Sequence, residues 1–241
     1  MLTDALFQEE LSVLKKLLSY FSMFEICLWC CSILLTVIAF TVFDMENYIM
    51  LIASIIGATY LILNAKGNPI GQVLLIIFSV LYGIISYNFS YYGEMVTYLG
   101  MSTPMAVLAL ISWLRNPYNG NKSEVKINSL KKQEIVFTVT LTAIVTLIFY
   151  FILRYFHTAN LIPSTASVTT SFLAVYLTFR RSRYFTLAYA ANDIILIVLW
   201  GLATLSDITY MSVTICFIMF LLNDIYGYIN WTQIQKNQIS C

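Results

Sequence analysis

Two carboxylates lie where a carboxylate is costly. Asp193 falls deep in the apolar stretch 184–205 beside Asn192, and Asp224 falls in 209–231 beside Asn223. A charge at the centre of a membrane helix costs about 2.5–3.5 kcal/mol on insertion scales, so such residues face a cavity or a partner. A solute site is expected at Asp193, whereas for Asp224, nearer a helix end, a structural role is equally open. Helical spacing puts Tyr189, Asp193 and Trp200 on one stripe and Asn223, Tyr226 and Asn230 on another. In 70–88, Gln72, Ser79, Tyr82 and Ser86 share a face. Aromatic rings interleaved with amides and a carboxylate suit a planar, polar and possibly cationic solute, through stacking, hydrogen bonds and charge pairing. The expected substrate-binding set is therefore Tyr189, Asp193, Asn192, Trp200, Asn223, Asp224, Tyr226, Gln72 and Tyr82.

This chemistry is binding rather than bond-making. The chain has no H-E-x-x-H, no G-x-x-x-x-G-K-[ST] and no G-x-S-x-G, and its only histidine is His157. Cys27-x-x-Cys30 lacks partner ligands at zinc spacing, so Cys27, Cys30 and Cys31 read as small side chains facing lipid or a neighbouring helix. No catalytic residue, metal or cofactor is expected. Other polar residues have simpler accounts. Glu94, Asp44, Glu46 and Asp207 fall at expected helix ends, and Trp113, Trp231 and Tyr210 read as interface anchors. Arg154, His157 and Arg180 to Arg183 flank the membrane, while Asn192 and Asn230 fit either substrate contact or bonds between helices.

The elements that must hold these residues follow from composition. Of 241 residues, 60% are hydrophobic and 10% charged, against about 45–50% and about 25% in a soluble globular protein. A net charge of +1 gives no basic excess for nucleic acid. The chain reads as an all-α integral membrane protein in a lipid bilayer. Eight stretches reach the roughly 17–25 residues a spanning helix needs: 26–43, 48–64, 70–88, 95–114, 134–153, 161–180, 184–205 and 209–231. The first follows Lys15 and Lys16 but lacks a cleavage pattern, so it is read as retained. Residues 5–21 are amphipathic and read as a helix lying in the interface.

With eight crossings, twelve of the 13 basic residues fall on one side and only Arg154 on the other. Basic residues near helix ends favour the cytoplasmic side, so both termini and the 116–133 loop are expected there. An offset of 118 residues places Tyr82-Gly83 over Trp200-Gly201, Tyr92 over Tyr210 and Trp113 over Trp231. Two three-helix units point the same way only if an odd crossing separates them, and 134–153 supplies it. The expected plan is 1–46 for the interfacial helix and an extra spanning helix, 47–115 for a first three-helix repeat, 116–160 for the loop and linking helix, 161–231 for a second repeat, and 232–241 for a cytoplasmic tail. Parallel repeats of this kind build transporters with the substrate between the halves.

These residues resemble the PnuC family of vitamin transporters. Ser102-Thr103-Pro104-Met105, then Trp113 and Arg115-Asn116-Pro117, resemble the end of that family's first repeat. Arg180-Arg181, Tyr189-x-x-x-Asp193, Trp200-Gly201 and Leu222-Asn223-Asp224-Ile225-Tyr226-Gly227-Tyr228-x-x-Trp231 resemble its second. The resemblance spans roughly 47–231 and implies a three plus one plus three fold related to the SWEET sugar carriers. It also implies uniport of nicotinamide riboside by alternating access across a bacterial inner membrane, with trapping by a cytoplasmic kinase. Thiamine, riboflavin and deoxynucleosides are substrates of relatives and stay open, as do a SWEET-like sugar carrier, a non-transporting scaffold or receptor, and a homo-oligomer. The family's usual Trp-x-x-x-Asn pair is here Tyr189 and Asp193, which keeps an aromatic platform and turns an amide into an acid.

Overall fold

The computed structural model describes residues 20–88, 91–158 and 160–240. The amphipathic segment 5–21 therefore lies almost wholly outside the described residues. Among the described residues, eight helices are long and apolar enough to span a membrane: α1 Met23–Phe43, α2 Tyr48–Ala65, α3 Ile70–Asn88, α4 Tyr92–Leu114, α5 Lys132–Tyr155, α6 Leu161–Phe179, α7 Phe185–Thr204 and α8 Met211–Ser240. Each of the eight expected spanning stretches has its helix. Contacts run from α2 to α3, α4, α6, α7, α8 and back to α2, so six helices close a ring. Helix α5 lies outside it against α6, and α1 lies outside it against α2 and α8.

The outer helices are held by polar contacts on otherwise apolar surfaces. Ser22 caps α1 by accepting from the Glu25 amide at 3.2 Å, while the Glu25 carboxylate accepts from the Ser22 amide at 2.6 Å. Glu25 then binds Lys66 at 3.2 Å and accepts from the Tyr226 hydroxyl at 2.7 Å, which ties α1 to α2 and α8. On α5, Glu134 pairs with Arg180 and Thr146 meets Thr169 at 3.0 Å. Cys27, Cys30 and Cys31 are free thiols on the exposed face of α1.

One end of the ring is spanned by the 116–131 loop. Asn119 and Gly120 both have positive φ, 47° and 77°, forming the two-residue turn that joins strands β1 Pro117–Tyr118 and β2 Asn121–Val125. At the end of β2 the Val125 amide donates to the Gly67 carbonyl at 3.0 Å, and past the hairpin the Asn128 amide donates to the Arg181 carbonyl at 2.9 Å. Gly67 and Arg181 both have positive φ and end the turns after α2 and α6, so one strap of chain ties the end of α2 to the end of α6.

Three features differ from the sequence reading. The last helix runs past the expected end at 231: α8 continues to Ser240, with no Gly or Pro after Gly227 to stop it and with its polar face bound to the loop. Gln238 donates to Glu124 at 2.9 Å, and Gln235 donates to Ser129 at 2.9 Å. Helix α4 starts at Tyr92 rather than 95 and draws Glu94 into the protein, leaving it 1% exposed. The two like turns, at Gly67 and Arg181, lie 114 residues apart, four fewer than Trp113 and Trp231. The second triplet has the longer final connection, with the 3-10 turn Ile208–Tyr210 capped by Asp207. Bonds from Thr209 hold the Asp207 carboxyl below the ordinary range.

Candidate functional site

A small enclosed cavity of about 20 Å³ lies inside the ring. All six ring helices reach it: Tyr60 from α2, Leu75, Phe78 and Ser79 from α3, Tyr98 and Ser102 from α4, Ser171 and Val175 from α6, Tyr189, Asn192 and Asp193 from α7, and Phe217 and Phe220 from α8. It is an aromatic box with one carboxylate and one amide in its wall. Room for about a single water means that any larger solute enters only when the halves move apart.

Local sequence explains why these side chains meet. Pro104 has no N–H for the carbonyl four residues back, so α4 widens into a π turn over Tyr98–Ser102, where the Thr103 amide and hydroxyl both reach the Tyr98 carbonyl. The widened turn presents both Tyr98 and Ser102 to the cavity. On α6, Thr170 and Ser171 each donate to the Asn192 side-chain oxygen at 2.9 Å, and Ser167 does so at 3.4 Å. With its oxygen engaged on α6, Asn192 meets Tyr98 of α4 across the seam between the triplets. The Asp193 and Asp224 carboxyls adjoin each other between the packed helices α7 and α8, and Asp193 Oδ2 is buried with no hydrogen-bond partner. Asp193 is in the wall, whereas Asp224 touches it from outside the lining.

The cavity is closed toward both ends by aromatic clusters. Toward the loop, Trp113 and Trp231 lie 5.4 Å apart with Phe185 4.7 Å from Trp231, and both tryptophans are fully buried. Their indole N–H groups donate across the ring, Trp113 to Thr178 at 2.9 Å and Trp231 to Asn64 at 2.7 Å. At the far end Trp200 donates to the Tyr82 hydroxyl at 2.6 Å and packs on Tyr91 and Tyr210. Trp113 and Trp231 were expected as interface anchors. Their burial and cross-ring bonds make them closures instead.

The structure thus brings together Tyr189, Asn192 and Asp193 at the cavity, with Asp224 against Asp193 and with Tyr82 and Trp200 above it. It places three others elsewhere. Gln72 donates to Asn64 at 2.9 Å and joins α3 to α2. Asn223 donates to Ser32 at 2.9 Å and Tyr226 to Glu25, so both face α1. Asn230 donates to the Ala65 carbonyl at 2.8 Å. Glu94, expected at a wet helix end, is buried with Ser167 at 3.5 Å from one oxygen and no partner on the other. Sequence reading missed Tyr60, Phe78, Tyr98, Ser102, Ser171, Phe217 and Phe220 as lining residues. Two signals pointed to some of them: a proline inside a spanning helix, and the density of hydroxyls over 164–171.

Comparison with known proteins fits this arrangement. The profile of the nicotinamide mononucleotide transporter family matches residues 47–233. A nicotinamide riboside transporter PnuC of Neisseria mucosa is 26% identical over 201 residues, covering 81% of this chain and 76% of the relative. One from Haemophilus influenzae is 24% identical over 192 residues, covering 79% and 82%. The crystal structure of a vitamin B3 transporter PnuC superposes with a TM-score of 0.80 at 23% identity, covering 90% of this chain and 94% of that one. Since the profile covers most of the sequence, from the start of α2 into the last third of α8, the chain belongs to the nicotinamide mononucleotide transporter family of membrane transporters.

Proposed function

We propose that this protein carries nicotinamide riboside across a bacterial inner membrane by facilitated diffusion. The observation that carries the reading is the Asp193 carboxyl in the wall of an enclosed aromatic cavity that no Lys, Arg or His lines. A pyridinium ring matches both features, stacking between Tyr60, Phe78, Tyr98 and Tyr189 while its positive charge meets Asp193. The Asn192 amide and the Ser79, Ser102 and Ser171 hydroxyls are placed for a carboxamide and a ribose. The relatives' names, which give nicotinamide riboside as cargo, support the same reading.

Alternating access follows if the triplets rock against each other, opening the Trp113–Trp231 closure on one side and the Tyr82–Trp200 closure on the other. The distribution of basic residues supports cytoplasmic termini and a cytoplasmic loop. No driving ion gradient is needed when a cytoplasmic kinase consumes the cargo. The test is uptake of labelled nicotinamide riboside into proteoliposomes without an ion gradient. Saturable uptake is the expected result. Its absence, together with uptake of thiamine or a deoxynucleoside, would overturn the substrate assignment.

A further inference from the structure

The two buried carboxyls pose a charge problem that the proposed transport cycle must solve. Asp193 is 4% exposed and Asp224 3%, and the two carboxyls adjoin each other between the packed helices α7 and α8. The ionisable groups facing them are Tyr60 from α2, Tyr98 from α4, Tyr189 from α7 and Cys216 from α8, while α3 and α6 contribute Phe78, Ser79, Ser171 and Val175. None is a cation. The basic groups that end α2 and α6 lie outside the cavity lining, with Lys66 paired to Glu25 and Arg180 to Glu134. Two carboxyls can share a hydrogen bond only if one carries a proton, because an ionised carboxylate is acceptor-only. With no proton the pair carries two negative charges and with one proton it still carries one, and either is costly in an enclosed site that no cation faces. Two protons make it neutral. One proton plus a bound monovalent cation also makes it neutral.

We propose that the Asp193–Asp224 pair is a cation-for-proton exchange site: the unloaded pair carries two protons, and an organic monovalent cation enters with release of one. In this step the O–H bond of one carboxyl breaks, its electron pair stays on the oxygen as counter-charge to the cation, and the proton leaves to water at the open end. No electron transfer is involved. The unpartnered Asp193 Oδ2 in the wall is the atom that meets the cation. Loaded and unloaded sites are then equally neutral when both ends are closed, so the halves can pass through the occluded state either way. The inference rests on the cationic-substrate reading and extends it: net uptake still needs no imposed ion gradient, and each cation that enters is balanced by one proton that leaves. A neutral solute of the same shape moves no proton.

The experiment compares nicotinamide riboside with its neutral 1,4-dihydro form, binding each to purified protein in weak buffer containing a pH dye. The cation is expected to release about one proton per molecule bound and to tighten by up to about tenfold per pH unit, while the dihydro form releases none and binds independently of pH. The double variant Asp193→Asn/Asp224→Asn, checked for folding by its melting transition, is expected to release no proton with either compound. Cation binding without proton release and with a flat pH profile overturns the exchange while leaving the substrate reading intact. Failure of both compounds to bind at any pH overturns the substrate reading and the exchange with it. Should the double variant not fold, the wild-type pair of measurements still decides.

Discussion

Replacing Trp231 or Trp113 with Phe tests whether the closure near the loop is a cross-ring bond rather than generic packing. Trp231→Phe removes the donor to the Asn64 carbonyl, but that carbonyl still accepts from the Gly67 amide at 2.9 Å, so it is not orphaned. The lost hydrogen bond is worth about 0.5–1.5 kcal/mol. The smaller ring leaves a void in a fully buried site, adding about 1–2 kcal/mol. Trp113→Phe behaves alike, since the Thr178 carbonyl keeps the Arg181 amide at 2.9 Å. With the rings 5.4 Å apart, the two losses should couple by about 0.5–1.5 kcal/mol in a double-mutant cycle. Melting in detergent should fall by about 2–4 °C per kcal/mol. The functional readout is Cys216, a buried thiol on α8 close to Asp193. In a background where Cys27, Cys30, Cys31 and Cys241 are Ala, a water-soluble maleimide should label Cys216 faster once the closure is weakened. Unchanged melting, additive losses and unchanged labelling together would refute the closure.

Further predictions concern the helices around the cavity. Tyr226→Phe leaves Glu25 with Lys66 and Ser22 only, and should cost about 1.5–3 kcal/mol in melting while retaining uptake; lost uptake at unchanged stability would move Tyr226 into the site. Gly57→Ala drives a Cβ into the Phe220 ring and should push that ring into the cavity, lowering uptake at least about tenfold, with Phe220→Leu restoring it. Pro104→Ala returns the missing N–H and should close the π turn, so uptake falls while melting does not; unaltered uptake would show that the Tyr98–Ser102 geometry is dispensable.

Much of the fold was legible because a membrane span needs a long apolar run, and loop charge fixes the parity of the crossings. What stayed hidden was which face of a helix meets which neighbour. Asn223 and Asp224 are adjacent in sequence yet about 100° apart on α8, so one meets Ser32 of α1 and the other Asp193 of α7. Periodicity placed Asn223 and Tyr226 on one stripe, and that stripe faces the outer helix rather than the cavity. Glu94 was misplaced because the α3–α4 connection is so short that α4 starts inside the protein, with Gly93 packed against Leu153 and Thr158. Trp113 and Trp231 carry the composition of interface anchors, and only the ring closure reveals that they point inward.

The central claim is that Asp193 meets the charge of a cationic aromatic nucleoside inside the ring. A carboxylate and a cation about 4 Å apart interact by about 4 kcal/mol at an effective dielectric of 20, before the cation's lost hydration is subtracted. The direct measurement is the affinity of wild-type protein and Asp193→Asn for nicotinamide riboside and for its neutral dihydro form. A loss of at least about tenfold for the cation, with less than about threefold for the neutral compound, is the predicted result. Equal losses for the two compounds would contradict it.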